Sequence, residues 1–299
     1  MYETFYGLKE KPFSVTPDSR FFFPSEKHTE ALDSLIYAIN DRKGFVAITG
    51  EIGCGKTTVW HALINKLDAG TKIAIITNTN LTAKQMLIAI LDDLEVTFKD
   101  SWTKVRLLSV LNKYLLEQAS LGFNVIVLID EAQNLKFDVL EEVRMLSNLE
   151  TEREKLLQII LMGQPQLKEK LKLDKFEQLK QRISVYYHIN PLSLKETKDY
   201  ITHRLKVAGF SNNRVIFDPF SLFKIYDYSA GVPRIVNTIC DRCLLTGFIK
   251  EKEEVSAEIV DEVAQELGIK KIAALKEGAV VDQVRLELLE FPKGTNKSA

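Results

Sequence analysis

Short apolar runs punctuate the first 190 residues, and most are followed by a stretch in which apolar residues return at helical spacing. The runs "GFVAIT" (44–49), "KIAIIT" (72–77), "NVIVLIDEAQ" (124–133), "LLQIILMGQ" (156–164) and "SVYYHI" (184–189) read as strands. Between them, "KTTVWHALINKL" (56–67), "TAKQMLIAILDDL" (82–94), "WTKVRLLSVLNKYLLEQAS" (102–120) and "FDVLEEVRMLSNLE" (137–150) read as helices. Short apolar strands alternating with helices predict an α/β fold built on a parallel sheet.

Beyond residue 190 only the helical period remains. Pro191 breaks the chain, and Ser193 with Glu196 gives a capping-box signature for a helix that ends near Gly209. Further helices are expected over 218–229, 233–249 and 256–267, the last opened by Ser256 and stopped by Gly268. The expected organisation is therefore an α/β domain over residues 1–190, a helical domain over 191–268 and a weakly patterned tail over 269–299 whose polar end is disordered.

The chain has 299 residues, 45% of them hydrophobic and 27% charged, which is globular composition with room for one large or two modest domains. A net charge of −1 supplies no global attraction to nucleic acid or anionic lipid. The start "MYETFYGL" lacks the features of a secretory leader, and the longest apolar run, "VIVLI" (125–129), is too short to cross a bilayer. A cytoplasmic location without a membrane span is expected. Cys54, Cys240 and Cys243 suit a reducing compartment. The "CDRC" pair lies in an apolar helical pattern with no second Cys or His pair beside it, which favours a core role over metal or redox chemistry.

One loop changes the picture. "GEIGCGKTT" (50–58) matches G-x-x-x-x-G-K-[ST] and lies between a predicted strand and a predicted helix. Backbone N–H groups from Gly50 through Ile52, Gly53, Cys54, Gly55 and on to Thr58 are placed to cradle phosphate oxygens, aided by the helix dipole. Lys56 is the candidate to reach the β- and γ-phosphates, and the Thr57 hydroxyl to hold Mg²⁺. Asp130 and Glu131 end the strand "VIVLID", where the first suits the Mg²⁺ hydration shell and the second a base that orients and deprotonates water. Gln164 ends the next strand. It is either a group that touches the attacking water or γ-phosphate, or a turn residue before Pro165. "NKLD" (65–68) imitates a guanine-reading motif, but it sits on the helix that follows the phosphate loop, so the GTPase reading fails. Arg182 precedes the last strand, where the sheet edge can face a neighbouring subunit. Arg234 opens a helix after Gly231 and Pro233, from which it can reach back over a nucleotide. Either arginine is alternatively an ordinary surface cation.

Taken together, these features resemble an AAA+ ATPase: GEIGCGKTT, VIVLIDEAQ, a polar strand tip, an arginine before the last strand, and GVPR in a helical lid. The opening "FYGLKEKPFSVTPDSRFFFPSEKHTEAL", with "DEAQNL", "GQPQL", "QRI" and "SAGVPRIVNTICD", is similar more narrowly to the ExeA/GspA-like secretion ATPases, including MSHA-pilus and exosortase-associated members, over residues 1–268. The resemblance implies a P-loop core with a helical lid, and ATP with Mg²⁺ as ligands. It makes Gln164 sensor 1, Arg182 an arginine finger acting in trans and Arg234 sensor 2, with an adenine site lined by the segment before Gly44 and His28 nearby. It implies self-association and a protein partner in envelope assembly, with peripheral placement at the inner membrane through that partner. Longer members add a transmembrane segment and a peptidoglycan-binding domain, and these 299 residues contain neither. Cys54 stands where the family often has Thr, adding an oxidisable thiol. Two other readings stay open: a DNA-binding, transposition-type AAA+ regulator, for which no obvious Lys/Arg cluster speaks, and a module that binds ATP without turnover, against which Glu131 speaks.

Overall fold

The computed structural model describes residues 1–14, 18–152, 154–211 and 214–271. The first half of the chain runs α1 (Tyr2–Phe5), α2 (Glu26–Asn40), β1 (Phe45–Gly50), α3 (Lys56–Ile64), β2 (Thr71–Ile76), α4 (Ala83–Asp93), α5 (Lys104–Ser120), β3 (Asn124–Ile129) and α6 (Phe137–Leu146). It continues through β4 (Gln158–Gly163), α7 (Pro165–Leu171), α8 (Glu177–Lys180), β5 (Ile183–Ile189), α9 (Leu194–Val207), α10 (Pro219–Ser229), α11 (Pro233–Ile249) and α12 (Ala257–Glu266). Two compact units result: Pro17–Asn190, and Met1–Thr16 together with the chain from Pro191.

The first unit is an α/β sheet in the order β2-β3-β4-β1-β5 with every pair parallel. Strands β1 and β4 are buried along their whole length and β3 along all but its first residue, whereas the edge strands β2 and β5 are only partly buried. Central strands covered on both faces need continuous apolar sequence, and "FVAIT" and "IILM" supply it. Helix α5 buries Leu107, Leu111 and Leu115, four residues apart, in one core with Leu87, Ile90 and Leu91 of α4, Val139 and Val143 of α6, and Val127 and Ile129 of β3. Each such leucine contributes about 1.5–3 kcal/mol by leaving water. A buried polar side chain closes the lower edge of the sheet: Gln158 of β4 donates to Ala38 O at the end of α2 and to Lys43 O, at 2.9 and 3.0 Å, and accepts from Asn124 of β3. Satisfied in this way, it fixes where the chain enters β1 instead of incurring a desolvation penalty.

The order of strands decides where ligands can sit. The chain leaves β1, skips β4 and β3 to form β2, and later crosses β1 again to form β5, so the sheet changes winding direction around β1. Parallel sheets bind ligands outside the carboxyl ends of strands at such a point. Those ends carry Gly50, Asp130 and Gln164, on or just after β1, β3 and β4, and β4 lies between the other two.

The second unit is helical. Helix α9 starts in a capping box in which Ser193 accepts from Glu196 N–H and the Glu196 side chain accepts from Ser193 N–H. Cys240 and Cys243 of α11 are buried free thiols, and burial pushes both well above the ordinary thiol range. Residues 1–14 belong with these helices, a correction to the expected division that placed them in the α/β domain. The cause is packing and pairing. Tyr2, Tyr6, Leu8 and Phe13 are buried, and the Tyr2 hydroxyl donates to Asp241. Lys9 N–H donates to Ala208 O at 2.8 Å, Arg204 Nε donates to Pro12 O at 2.5 Å, and Phe13 meets Phe217 edge-on. The tail expected over residues 269–299 lies outside the described residues from 272 onward.

Candidate functional site

The loop between β1 and α3 is shaped by what its residues lack. Gly55 caps α3 in the left-handed region at φ 92°, ψ 15°, and a Cβ there would lie 2.6 Å from His28 Nε2. At Gly50 a Cβ would lie 2.8 Å from Ile189 O of β5. The strand that feeds the loop is also pinned, since Thr49 Oγ1 hydrogen-bonds to the Tyr186 hydroxyl at 2.7 Å and to His188 Nδ1 at 2.9 Å. Lys56, Thr57 and Thr58 form the first turn of α3, whose N–H groups have no partner within the helix and face its positive end.

Lys56 is buried, with 6% of its surface exposed, and Nζ donates to Gly50 O at 2.8 Å and Glu51 O at 3.0 Å. Burial pulls its ammonium below the ordinary lysine range, and the fields of Glu131 and Asp130 oppose that shift. Asp130 is buried and its carboxyl is raised above the usual range by desolvation, partly offset by the Glu131 N–H, which donates to Oδ1 at 2.8 Å. Glu131 occupies the left-handed region at φ 51°, ψ 36°. Such a backbone stores roughly 1–3 kcal/mol of strain and is characteristic of sites where side-chain placement matters. Gln164 is the N-cap of α7, and its Nε2 donates to Glu131 Oε2 at 2.9 Å.

Lys56, Asp130, Glu131 and Gln164 thus meet at one edge of the sheet, coupled by hydrogen bonds or by electrostatic interaction. The arrangement can hold an anion with a cation and helix N–H groups, offer one hydroxyl and one carboxylate to a metal, and orient a water beside a carboxylate. Among the described residues no group of three His, Cys, Asp or Glu gathers to form a metal cage. Thr57 and Asp130 are the hydroxyl and the carboxylate that a Mg²⁺ ion carried in on phosphates would use.

The remaining candidates lie elsewhere or act differently. His28 of α2 packs on the loop: its ring hydrogen-bonds to Cys54 O through Nε2 at 2.8 Å and to Ser25 Oγ through Nδ1 at 2.6 Å. A carbonyl only accepts, so Nε2 carries a proton. Cys54 is fully buried and its thiol is pushed up to about 11 by burial, so the oxidisable thiol expected from the sequence is held protonated and covered. Ile52 is exposed on the loop. Arg182 is not brought to this cluster. The register Phe45↔Ile183 and Gly50↔Ile189 puts Arg182 at the opposite edge of the sheet, about 20 Å from Gly50 at strand rise. There it donates through Nη1 to Ser147 Oγ at 3.0 Å and lines a cleft with Lys43, Arg144 and Glu150. Arg234, in the helical unit, is exposed in the first turn of α11. Two residues missing from the sequence candidates complete the cluster. Gln133 joins Glu131 and Gln164 by hydrogen bonds, and Lys170 of α7 donates to Gln133 O at 2.8 Å and to Leu135 O. The run "DEAQ" placed Gln133 two residues beyond the candidate base, and only the turn after β3 folds it back.

Known proteins place this geometry. Residues 39–171 match the family model described as an AAA domain. The chain is 40% identical over 283 residues to General secretion pathway protein A of Aeromonas hydrophila, an alignment covering 94% of this chain and 51% of that protein. The chain therefore spans about half the length of that relative. Among solved structures it is similar to the Aeropyrum pernix ORC2 protein, with a TM-score of 0.63, 14% identity, and 91% and 74% of the two chains covered. It is also similar to the RuvB Holliday junction branch migration motor of Thermotoga maritima, with a TM-score of 0.58, 17% identity, and 90% and 78% covered. At such identities these two show the fold alone. The parallel sheet, the phosphate loop and the family match agree: residues 39–171 are an AAA domain of P-loop NTPase fold, in a chain related over nearly all its length to General secretion pathway protein A.

Proposed function

We propose that this chain binds ATP with Mg²⁺ at the Gly50–Thr58 loop, hydrolyses it, and uses the cycle as an oligomeric switch in assembling a secretion, pilus or polysaccharide-export apparatus. The observation that carries the reading is the convergence of Lys56, Asp130, Glu131 and Gln164 at the carboxyl edge of three neighbouring strands. The relation to a secretion-pathway protein supports the setting, with a protein partner in the envelope. No helix among the described residues is long and apolar enough to cross a membrane, which fits an attachment at the cytoplasmic face through that partner.

In this mechanism Lys56 exchanges its bonds to Gly50 O and Glu51 O for β- and γ-phosphate oxygens, keeping its charge compensated throughout. Thr57 and Asp130 would hold Mg²⁺, which would supply charge neutralisation on the phosphates. Glu131 orients the attacking water and takes its proton, while Gln164 steadies that carboxylate and senses the γ-phosphate. Arg182 cannot reach the loop of its own subunit from the far end of the sheet, so its role as a finger is in a neighbour's site. For Arg234, exposed in the first turn of α11, the proposed role is that of a nucleotide sensor, and His28 buttresses the loop on the adenine side.

The test separates binding from chemistry. Lys56→Ala should abolish ATP binding in calorimetry, whereas Glu131→Gln should bind ATP normally and hydrolyse it about 10²–10⁴-fold more slowly, the range for a lost general base. Wild-type affinity in the first variant, or wild-type turnover in the second, contradicts the assignment.

A further inference from the structure

The turn after β3 places one side-chain amide between the candidate base and the tip of β4. Gln133 Nε2 donates to Glu131 Oε2 at 2.5 Å, and Gln133 Oε1 accepts from the backbone N–H of Gln164 at 3.0 Å. Gln164 closes the triangle by donating its own Nε2 to the same Glu131 Oε2 at 2.9 Å. Both donors fall on one carboxylate oxygen, so the side chain is held while neither amide touches Oε1. An amide offers a donor and an acceptor at fixed separation, which is what bridging a carboxylate to a backbone N–H requires.

The surroundings are built for this bridge. A Cβ at position 163 would lie 2.7 Å from Gln133 Oε1, so Gly163 leaves the space the amide fills. Lys170 Nζ donates to Gln133 O at 2.8 Å and to Leu135 O, anchoring the turn from α7, the same helix that Gln164 caps. The backbone at Glu131 is left-handed, so the local chain does not by itself favour this placement, and external contacts must hold it.

We infer that Gln133 is a positioning residue for ATP hydrolysis: it locks the Glu131 carboxylate to Gln164 so that Oε1 faces the attacking water and a shift of Gln164 moves the base with it. The inference rests on the proposed role of Glu131 as the base. Partners that orient metal-bound side chains are worth about 10–100-fold in activity, and the same scale is expected for an amide that orients the carboxylate of Glu131.

The experiment compares Gln133→Ala and Gln133→Met, alone and with Glu131→Gln, for turnover, ATP affinity and melting temperature. Methionine keeps the length of the side chain and loses the amide. Both single variants should lose about 10–100-fold in kcat with ATP affinity close to wild type, while the melting temperature falls because the Gln164 N–H loses its acceptor, so kcat is read well below it. Adding Gln133→Met to Glu131→Gln should change kcat less than about twofold, because the bridge then has no base to hold. Wild-type turnover in Gln133→Met overturns the inference, since packing alone would then suffice. An undiminished Gln133 effect in the Glu131→Gln background also overturns it, as the amide would be acting elsewhere. Glu131→Gln with wild-type turnover is a separate failure: it removes the base assignment itself, and the inference with it.

Discussion

Asp130 carries a cost of burial at the candidate site. It is buried at the end of β3 with its carboxyl raised above the usual range, chiefly by desolvation. A folded-state value above the unfolded one means the native protein holds its proton more tightly, so ionisation opposes folding. That penalty is present above the folded value and vanishes as pH falls below the unfolded one. Asp130→Asn should therefore raise the melting temperature at neutral pH while abolishing Mg²⁺-dependent turnover, with the thermal gain shrinking as the pH is lowered through the carboxylate range. A lower melting temperature at neutral pH would show that the carboxylate's contacts outweigh its desolvation. Lys56, Thr57, Asp130 and Glu131 could be named as candidates because each stands at a fixed place in a short local pattern, "GCGKT" or a strand ending in "DE". Gln133 was not, since its partner Gln164 is 31 residues away and meets it only through the pairing of β3 with β4.

At the scale of elements, the five strands were read from apolar runs, and helices α3 to α6 and α9 to α12 from their periodicity, with ends displaced by a few residues. Helix α2 was absent from the expected elements. Its buried residues His28, Ala31, Leu32, Leu35, Ala38 and Ile39 do follow a helical period, but two alanines and a histidine make that stripe weakly apolar. Helix α7 was hidden for another reason, because Gln164-Pro165 reads equally as a turn or as an N-cap followed by Pro at the first helical position. Helix α2 bears on the site through its cap. Ser25 Oγ accepts from His28 N–H at 3.3 Å while meeting His28 Nδ1 at 2.6 Å, which ties the helix start to the ring that packs on Gly55. Ser25→Ala should cost about 0.5–2 kcal/mol, the usual loss for an N-cap, read as a lower midpoint in urea at unchanged slope. An unchanged midpoint would show that water replaces the hydroxyl at both contacts.

At the scale of the molecule, the α/β unit presents two different ends. One carries Lys56, Asp130, Glu131 and Gln164, and the other carries Arg182 beside Arg144 and Lys43. On the proposed role of Arg182 in a neighbour's site, head-to-tail contact between copies of the chain would complete both halves. That Arg182 lies away from the phosphate loop was expected from its place before the last strand, while its distance from Gly50 follows from strand register. The most direct measurement is hydrolysis by mixed variants. Arg182→Ala keeps Glu131 and lacks the finger, while Glu131→Gln keeps the finger and lacks the base, so each alone should be nearly inactive, the first by as much as ~10³-fold. Mixed at equal amounts, random head-to-tail assembly pairs an intact base with a neighbour's intact arginine at about one interface in four. The account predicts that activity reappears on mixing and approaches about a quarter of the wild-type rate. A mixture that stays inactive while the two variants co-assemble would contradict it.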